Sequence, residues 1–252
     1  MTFTSPTRQA SEGRVVVAPK DRALRDLPAL LTDAGFHLAS PALVLVKPNV
    51  CGMYPPALDL LAAVLRSLQP TDACLLIGET PSASHTPRRR FARLGITRLA
   101  ASLGVATRDL MDDPVVRRRV PTPHALPEIP LPQTVVAADL LVNVPGIGTH
   151  GTALLTCAHK NLFGLIAERH KYARLHPLGV HNVVADVFQV VQPQLTVVDA
   201  GPRVLVGTDA LRVDVVACDF VSLAPERVRH LVLAAQDRGL TLPNLQIHRL
   251  DL

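Results

Sequence analysis

Aromatic side chains are scarce in this chain of 252 residues: Phe, Tyr and Trp together make up 3%, and there is no tryptophan. Proteins that bind single-stranded nucleic acid stack its bases on aromatic rings beside a basic groove. The net charge of +5 comes from basic residues spread along the chain, with runs only at Arg88–Arg90 and Arg117–Arg119. We therefore expect two solvated basic faces rather than a nucleic-acid interface, and a core of aliphatic side chains.

Cysteine is also sparse, and its spacing matches no metal motif. The four cysteines, at positions 51, 74, 157 and 218, form no CxxC pair, so spacing signals neither a zinc site nor an iron–sulfur cluster. No apolar run is long enough to span a bilayer, and the polar N-terminal segment lacks the apolar centre of a signal peptide. We expect a reduced cytoplasmic protein without membrane association, with a disordered tail at residues 1–13 and one domain at 14–252.

Lysine is rare although arginine is common. The chain has 22 arginines but only four lysines: Lys20, Lys47, Lys160 and Lys171. Where arginine supplies generic positive charge, a lysine is a candidate for a position that needs a compact, titratable amine. Lys47 ends an apolar strand, and Lys160 lies in the apolar stretch TCAHKNLFGLI, residues 156–166.

The hydrophobic pattern alternates strands with helices. Predicted strands at 14–19, 41–50, 73–80, 138–144, 194–201 and 203–209 alternate with predicted helices at 22–36, 55–68, 86–104, 152–166 and 179–192. Near-continuous Val/Leu strands are typical of sheets buried on both faces. The sequence therefore predicts an α/β fold: a mainly parallel, mixed sheet with helices on both faces in Rossmann-like layers.

Polar side chains follow several of these strands. In open parallel sheets, ligands bind beyond the carboxyl ends of the strands. Any one such residue has a simpler explanation as a cap or turn residue, but five strand ends with polar groups favour a shared pocket. The candidates for substrate binding or catalysis at these ends are Lys47, Asn49, Glu79, Asp199 and Asp209.

The segment PGIGTHG, residues 145–151, is the sharpest local feature. A glycine loop between a strand and a helix exposes backbone N–H groups that favour anions. On the predicted helix 152–166, residues four apart share a face, so its polar face would look into the site while His159 or His150 moves a proton. The candidates here are Gly146, Gly148, Thr149, His150, Gly151, Thr152, Thr156, His159, Lys160 and Asn161.

The same segments exclude some ligands. The loop lacks the spacing of a Walker motif, and GIGTHG has no acidic residue after a following strand, so neither ATP nor NAD is indicated. Five histidines lie between His150 and His181, but no pair has the tight spacing of a known ligand motif. We predict no metal and no cofactor. At least one of Asp209, Asp214 and Asp219 is expected to be a helix cap.

A series of motifs in order resembles the family called domain of unknown function 362. The resemblance starts near residue 14 and implies one α/β domain. Many relatives append a ferredoxin-like module with two cysteine-rich clusters, which this chain lacks, so electron transfer is not expected. The family also resembles the nickel-pincer lactate racemases, which use histidines for acid–base work. The motifs are Lys47–Asn49, Gly78–Glu79, Phe91–Gly95, Ala138–Pro145, Thr149–Gly151, His159–Gly164, Gln192–Asp199, Gly207–Asp209 and Val213–Asp214.

The chain departs from the family pattern at two places. Where relatives typically read Pro-Lys-x-Lys-Thr-His, residues 145–150 read Pro-Gly-Ile-Gly-Thr-His, without the two lysines. The glycine-rich loop expected after Asp199 is shortened to Gly201-Pro202. A short, altered member suggests a specialised role, such as secondary-metabolite (for example antibiotic) biosynthesis.

Three functions remain open from the sequence. The first is an enzyme that acts on a small anionic metabolite by non-redox acid–base chemistry: elimination, isomerisation or ring closure with loss of an anionic leaving group. Catalysis would fall to Lys47, His150, His159 and Lys160. The second is a non-catalytic or co-catalytic subunit of a heteromeric complex, and a homo-oligomer is equally open. The third is a metal- or cofactor-dependent isomerase or oxidoreductase that uses the histidine-rich segment.

Overall fold

The computed structural model describes residues 13–37, 41–69 and 73–252. The predicted disordered tail lies, apart from Gly13, outside the described residues. The strands are β1 (Arg14–Pro19), β2 (Leu43–Pro48), β3 (Cys74–Glu79), β4 (Ala106–Asp109), β5 (Val115–Arg119), β6 (Glu128–Pro132), β7 (Leu140–Val144), β8 (Gly148–His150), β9 (Leu154–Thr156), β10 (Leu195–Ala200), β11 (Arg203–Gly207) and β12 (His248–Asp251). The α-helices are α1 (Lys20–Arg25), α2 (Leu27–Asp33), α3 (Leu58–Leu68), α4 (Pro87–Arg93), α5 (Ile96–Ser102), α6 (Gln133–Ala137), α7 (Ala158–Leu162), α8 (Lys171–Leu175), α9 (Val180–Val190), α10 (Ala210–Asp219) and α11 (Arg229–Gln236).

Eight strands form one sheet in the order β12-β1-β11-β10-β7-β2-β3-β4. Strand β11 pairs antiparallel with both β1 and β10, and the other neighbouring pairs are parallel. The carboxyl ends of β2, β3, β7 and β10 therefore meet at one edge, whereas the carboxyl end of β11 lies at the opposite edge. The prediction of an α/β fold with a mainly parallel, mixed sheet is confirmed.

Apolar helices cover both faces of this sheet. Val15 and Val17 of β1 pack into one buried cluster with Leu211 of α10. Val16 of the same strand packs into the other, with Leu30 of α2. Successive strand residues point to opposite faces, so the continuous Val/Leu strands supply both cores at once. This explains why their sequences show no polar alternation.

Several predicted helices are shorter than expected, for local reasons. The predicted helix 22–36 is divided at Asp26, whose side chain accepts a hydrogen bond from the backbone N–H of Ala29 and caps α2. The predicted helix 86–104 is divided at Gly95, which has a φ of +77°. Glycine adopts that left-handed conformation without the steric cost of a side chain.

The predicted helix 152–166 is wrong over its first half. Gly148–His150 and Leu154–Thr156 form a two-stranded antiparallel hairpin, and the helix begins only at Ala158. The i, i+4 spacing of Thr152, Thr156 and Lys160 is real, but it does not fall on one helix. Residues four apart share a face of a helix, and they also share a face of a strand, where every second residue points the same way. A short segment of this kind therefore fits both patterns.

Candidate functional site

A cavity of about 570 Å³ lies beyond the carboxyl ends of β2 and β3. We call it the strand-end cavity. Seven of the residues predicted as site residues line it. They are Lys47, Asn49, Glu79, His150, Thr152, Lys160 and Asn161. Its other lining residues include Cys51, Thr80, Arg90, Phe163, Lys171, Tyr172 and His176.

The floor of the cavity is a buried polar network around Lys47. Its ammonium donates to Glu79 Oε2 at 2.8 Å, to Asn161 Oδ1 at 2.7 Å and to the carbonyl of Pro48 at 3.1 Å. The amide of Asn161 donates in turn to Asn143 Oδ1 at 2.7 Å. The side chains of Lys47 and Glu79 are 1% and 2% exposed. A buried ion pair is tolerated only when such additional hydrogen bonds satisfy both groups.

Lys160 lies on the wall of the cavity and, unlike Lys47, contacts an aromatic ring. Its ammonium is 4.4 Å from the centre of the Phe163 ring. No hydrogen bond or ion pair joins it to another group in the described part of the chain. Burial, and secondarily the nearby Lys47 ammonium, lower the pKa of Lys160 to about 8. Desolvation and like charge both disfavour the protonated amine, so Lys160 titrates close to neutral pH.

Lys171 begins α8 and closes another side of the cavity. Its ammonium donates to the hydroxyl of Thr80 and to the carbonyls of Pro81 and Gly164, the last two at 3.2 Å. The Thr80 hydroxyl donates to the same Gly164 carbonyl. Burial lowers the pKa of Lys171 to about 8. Because its protons are already engaged, Lys171 fastens α8 to the loop after β3.

Three histidines line the cavity, at positions 85, 150 and 176, and the last two differ in their hydrogen-bonding roles. The Nδ1 of His150 accepts from the backbone N–H groups of Thr152 and Ala153, both at 3.1 Å. The neutral ring therefore carries its proton on Nε2 and is a hydrogen-bond donor there. His176 packs against Tyr172 with ring centres 4.5 Å apart, and its ring nitrogens have no hydrogen-bond partner among the described residues. Burial, then Lys160, lower the pKa of both histidines.

The glycine loop does not form the predicted anion site. Ile147 N–H donates to the carbonyl of Asp199, and Asp199 N–H donates to the carbonyl of Pro145, so the loop extends the sheet beside β10. A Cβ on Gly146 would lie 2.5 Å from the carbonyl oxygen of Tyr54, and one on Gly148 would meet the Tyr54 ring. These glycines serve close packing against Tyr54. Thr149, whose carbonyl accepts from the Tyr54 hydroxyl, and Gly151 are likewise absent from the cavity lining.

His159 is buried away from the strand-end cavity. Its Nδ1 lies 2.8 Å from Asp214 Oδ2, and its ring packs on Phe188 with centres 3.9 Å apart. The same carboxylate accepts from the backbone N–H groups of Ala158 and His159, so Asp214 caps α7. Consecutive residues on a helix point about 100° apart. Lys160 of α7 therefore points into the cavity, whereas its neighbour His159 points into the core.

Three other predicted site residues also lie elsewhere. Asp199 accepts from Lys20 Nζ at 3.1 Å and from the backbone N–H of Ala57. Asp209 follows β11, the antiparallel strand, and is therefore at the opposite edge of the sheet. It caps α10, which fulfils the prediction that one of the three aspartates is a helix cap, and it pairs with arginines. Thr156 is buried at the end of β9.

The sequence reasoning missed Lys171 and His176 as members of the cavity. Lys171 is one of the four lysines and His176 is one of the five histidines between His150 and His181, but neither residue follows a strand. A second cleft, of about 720 Å³, lies between α4 and β4. Its charged residues include Arg88, Arg108 and Asp112, of which Arg88 and Asp112 pair with each other. We therefore regard the strand-end cavity as the candidate site.

Two kinds of feature are absent from the part of the chain that the structure describes. No group of three or more His, Cys, Asp or Glu side chains is placed to hold a metal ion. Within the same residues, no helix has the length and apolar character needed to cross a membrane.

Comparison with known proteins places the fold. No curated protein matches the chain. The lactate racemase apoprotein from Thermoanaerobacterium thermosaccharolyticum superposes with a TM-score of 0.54 at 16% identity, over 83% of this chain and 57% of that one. A structure from Thermotoga maritima gives 0.47 at 14% identity, over 81% and 59%. The chain thus spans less than two thirds of either structure, and likeness at this identity shows the fold alone. The family described as Domain of unknown function (DUF362) matches residues 44–219, so this chain belongs to that family.

Proposed function

We propose that the chain is an enzyme that binds a small anionic metabolite in the strand-end cavity and moves a proton without redox chemistry. The observation that carries this proposal is the charge balance of the cavity. Among the described residues that line it, Lys47, Lys160, Lys171 and Arg90 are cationic, and Glu79 is the single carboxylate. Because Glu79 is already paired with Lys47, no carboxylate among the described lining residues is left to neutralise the other positive charges of the cavity.

The polar groups of the cavity suit acid–base chemistry. The ring nitrogens of His176 have no hydrogen-bond partner among the described residues, and burial lowers its pKa, which favours the neutral ring that can accept a proton. His150 presents an Nε2–H that can donate to a substrate oxygen. The fixed charge of Lys160 would stabilise negative charge that develops on the substrate during an elimination or isomerisation. In this proposal His150 keeps the acid–base role expected from the sequence, and His176 takes the place of His159.

Oxalate binding tests the anion site directly. We expect oxalate, but not its neutral counterpart oxamide, to bind, as measured by isothermal titration calorimetry. Lys160→Gln removes a cation that has no hydrogen-bond partner among the described residues. It should weaken oxalate binding by about tenfold or more, which corresponds to about 1.4 kcal/mol.

Arg98→Gln is the matched control for this experiment. Arg98 is exposed on α5 and does not line the cavity, so this variant has the same net charge as Lys160→Gln. Its affinity for oxalate should stay within about twofold of the parent, because salt screens distant surface charges. Equal binding of oxamide, or equal effects of the two variants, would refute the proposed anion site.

The pH dependence of oxalate affinity gives a second test. An amine is charged below its pKa, so a Lys160 pKa of about 8 places the loss of charge well below the range of an ordinary lysine. Affinity should be level at neutral pH and fall above about pH 8 toward the affinity of Lys160→Gln, about tenfold lower or more. In Lys160→Gln, the fall in oxalate affinity above about pH 8 should be smaller. A profile that stays level to pH 10, where an ordinary lysine titrates, would contradict the assignment to Lys160.

A further inference from the structure

We infer that Lys160 is a carbonyl-reactive amine that forms an imine with a small acid carrying an aldehyde or ketone group. This inference rests on the proposed function, because the acid group is what the cationic cavity would hold. It adds the chemical class of the substrate, which charge alone does not define.

The first argument is that Lys160 differs from the other three lysines. Lys20 pairs with Asp199, Lys47 pairs with Glu79, and Lys171 donates to three oxygens. Lys160 contacts the face of an aromatic ring instead, and within the described residues no acceptor holds its protons. A lysine that only supplied structure would be expected to donate hydrogen bonds, as the other three do.

The second argument concerns which group in the cavity can act as a nucleophile. Burial, then the Glu79 carboxylate, raise the pKa of the Cys51 thiol to about 12, so this thiol stays protonated and unreactive. At the pKa of about 8 given above, Lys160 is about half neutral at pH 8. A desolvated lysine beside a second cationic group is a recognised way to activate an amine toward carbonyl compounds.

The third argument is that the cavity supplies the proton transfers that imine formation requires. The Lys160 nitrogen attacks the carbonyl carbon, a C–N bond forms, and the carbonyl electron pair moves to oxygen, near the Nε2–H of His150. His176 transfers one proton from the nitrogen to this oxygen, which gives a hydroxyl group, and then transfers the second proton from the nitrogen to the hydroxyl group as it leaves. The C–O bond then breaks, water leaves, and a C=N bond remains. The sum is one amine and one carbonyl converted to one imine and one water.

An imine would also serve the proposed acid–base chemistry. A protonated imine withdraws electrons from the adjacent carbon and so makes a proton on that carbon easier to remove. His176 is a residue of the cavity that can accept that proton. Elimination or isomerisation beside a carbonyl group would then proceed without an oxidant or reductant.

Borohydride trapping with glyoxylate tests this inference on the full chain. Sodium cyanoborohydride reduces an imine to a stable secondary amine, so the adduct can be assigned by peptide mass spectrometry among only four lysines. We expect the adduct on Lys160 and competition by oxalate, which has the acid groups but no reactive carbonyl. Lys160→Arg keeps the charge and should lower adduct formation by about tenfold or more, whereas Lys20→Arg should leave it unchanged.

The outcomes separate this inference from the proposed function. If oxalate binds but glyoxylate leaves no adduct on Lys160, the imine is refuted and the anion site stands. If adducts are spread over Lys20 and Lys160 alike, the special reactivity of Lys160 is refuted. If oxalate does not bind and glyoxylate does not react, both proposals fail.

Discussion

Replacing Lys47 with methionine should lower the free energy of unfolding by about 3–5 kcal/mol, the cost of leaving one partner of a buried ion pair alone. Methionine fills much of the space of the lysine stem but donates no hydrogen bond. The Glu79 carboxylate, 2% exposed, would lose its counter-ion, and the Asn161 oxygen would lose a donor. Denaturant unfolding at pH 7, monitored by circular dichroism, measures this loss.

The pH dependence of this loss identifies its cause. Without Lys47, the Glu79 carboxylate would be a buried negative charge without its counter-ion. The cost of burying that charge disappears in acid, where the carboxyl group is neutral. The deficit of Lys47→Met relative to the parent should therefore be small near pH 4 and grow toward neutral pH.

Two further variants serve as controls. The double variant Lys47→Met with Glu79→Gln removes both charges and should recover most of the lost stability, because a buried pair contributes little net free energy. Lys20→Met removes a lysine whose pair with Asp199 is partly exposed and should cost about 1 kcal/mol or less. If Lys47→Met costs no more than Lys20→Met, the buried network is not formed as described.

Much of the fold could be predicted because its signals are local. The strands around Val15 and Val44 read as continuous apolar runs, and such runs require a sheet covered on both faces. The residues after β2 and β3 could be placed together because parallel strands end at one edge. Lys47 and Glu79 were therefore found from the sequence, and they meet in the structure.

The errors fall where distant contacts decide the structure. The sequence RVLVGTD carries no local signal that β11 runs antiparallel. The sequence-based prediction therefore assigns Asp209 to the wrong edge of the sheet. Gly146 and Gly148 of the 145–151 loop pack against Tyr54, which is about ninety residues away in the sequence. Lys171 and His176 were not assigned to the site, because they reach the cavity from a helical segment that follows no strand.

Asp214 links the buried core to the cavity, and its replacement is expected to have the second large effect. Asp214→Ala should lower the free energy of unfolding by about 3–5 kcal/mol, because three buried donors would lose their acceptor. These donors are the backbone N–H groups of Ala158 and His159 and the ring Nδ1 of His159, at 2.7, 2.9 and 2.8 Å. In a chain of this size the melting temperature should fall by about ten degrees.

Asp214→Asn and Asp219→Asn complete the series. Asparagine keeps one acceptor oxygen, so Asp214→Asn should lose about 1–3 kcal/mol and remain folded if the alanine variant does not. Asp219 lies on the same helix but is exposed, where it pairs with Arg249, so its replacement should cost less than about 1 kcal/mol. Equal losses for Asp214→Asn and Asp219→Asn would contradict the buried role of Asp214.

The effect of Asp214 should extend to ligand binding although its carboxylate does not reach the cavity. The carboxylate holds the first turn of α7, a helix of five residues that carries Lys160 and Asn161. A helix this short is not stable by itself, so its position depends on that anchor and on the Asn161 contacts with Lys47. Asp214→Asn should therefore weaken oxalate binding severalfold at temperatures where the protein is fully folded, whereas Asp219→Asn should not. Unchanged affinity in Asp214→Asn would mean that the Asn161 network alone positions Lys160.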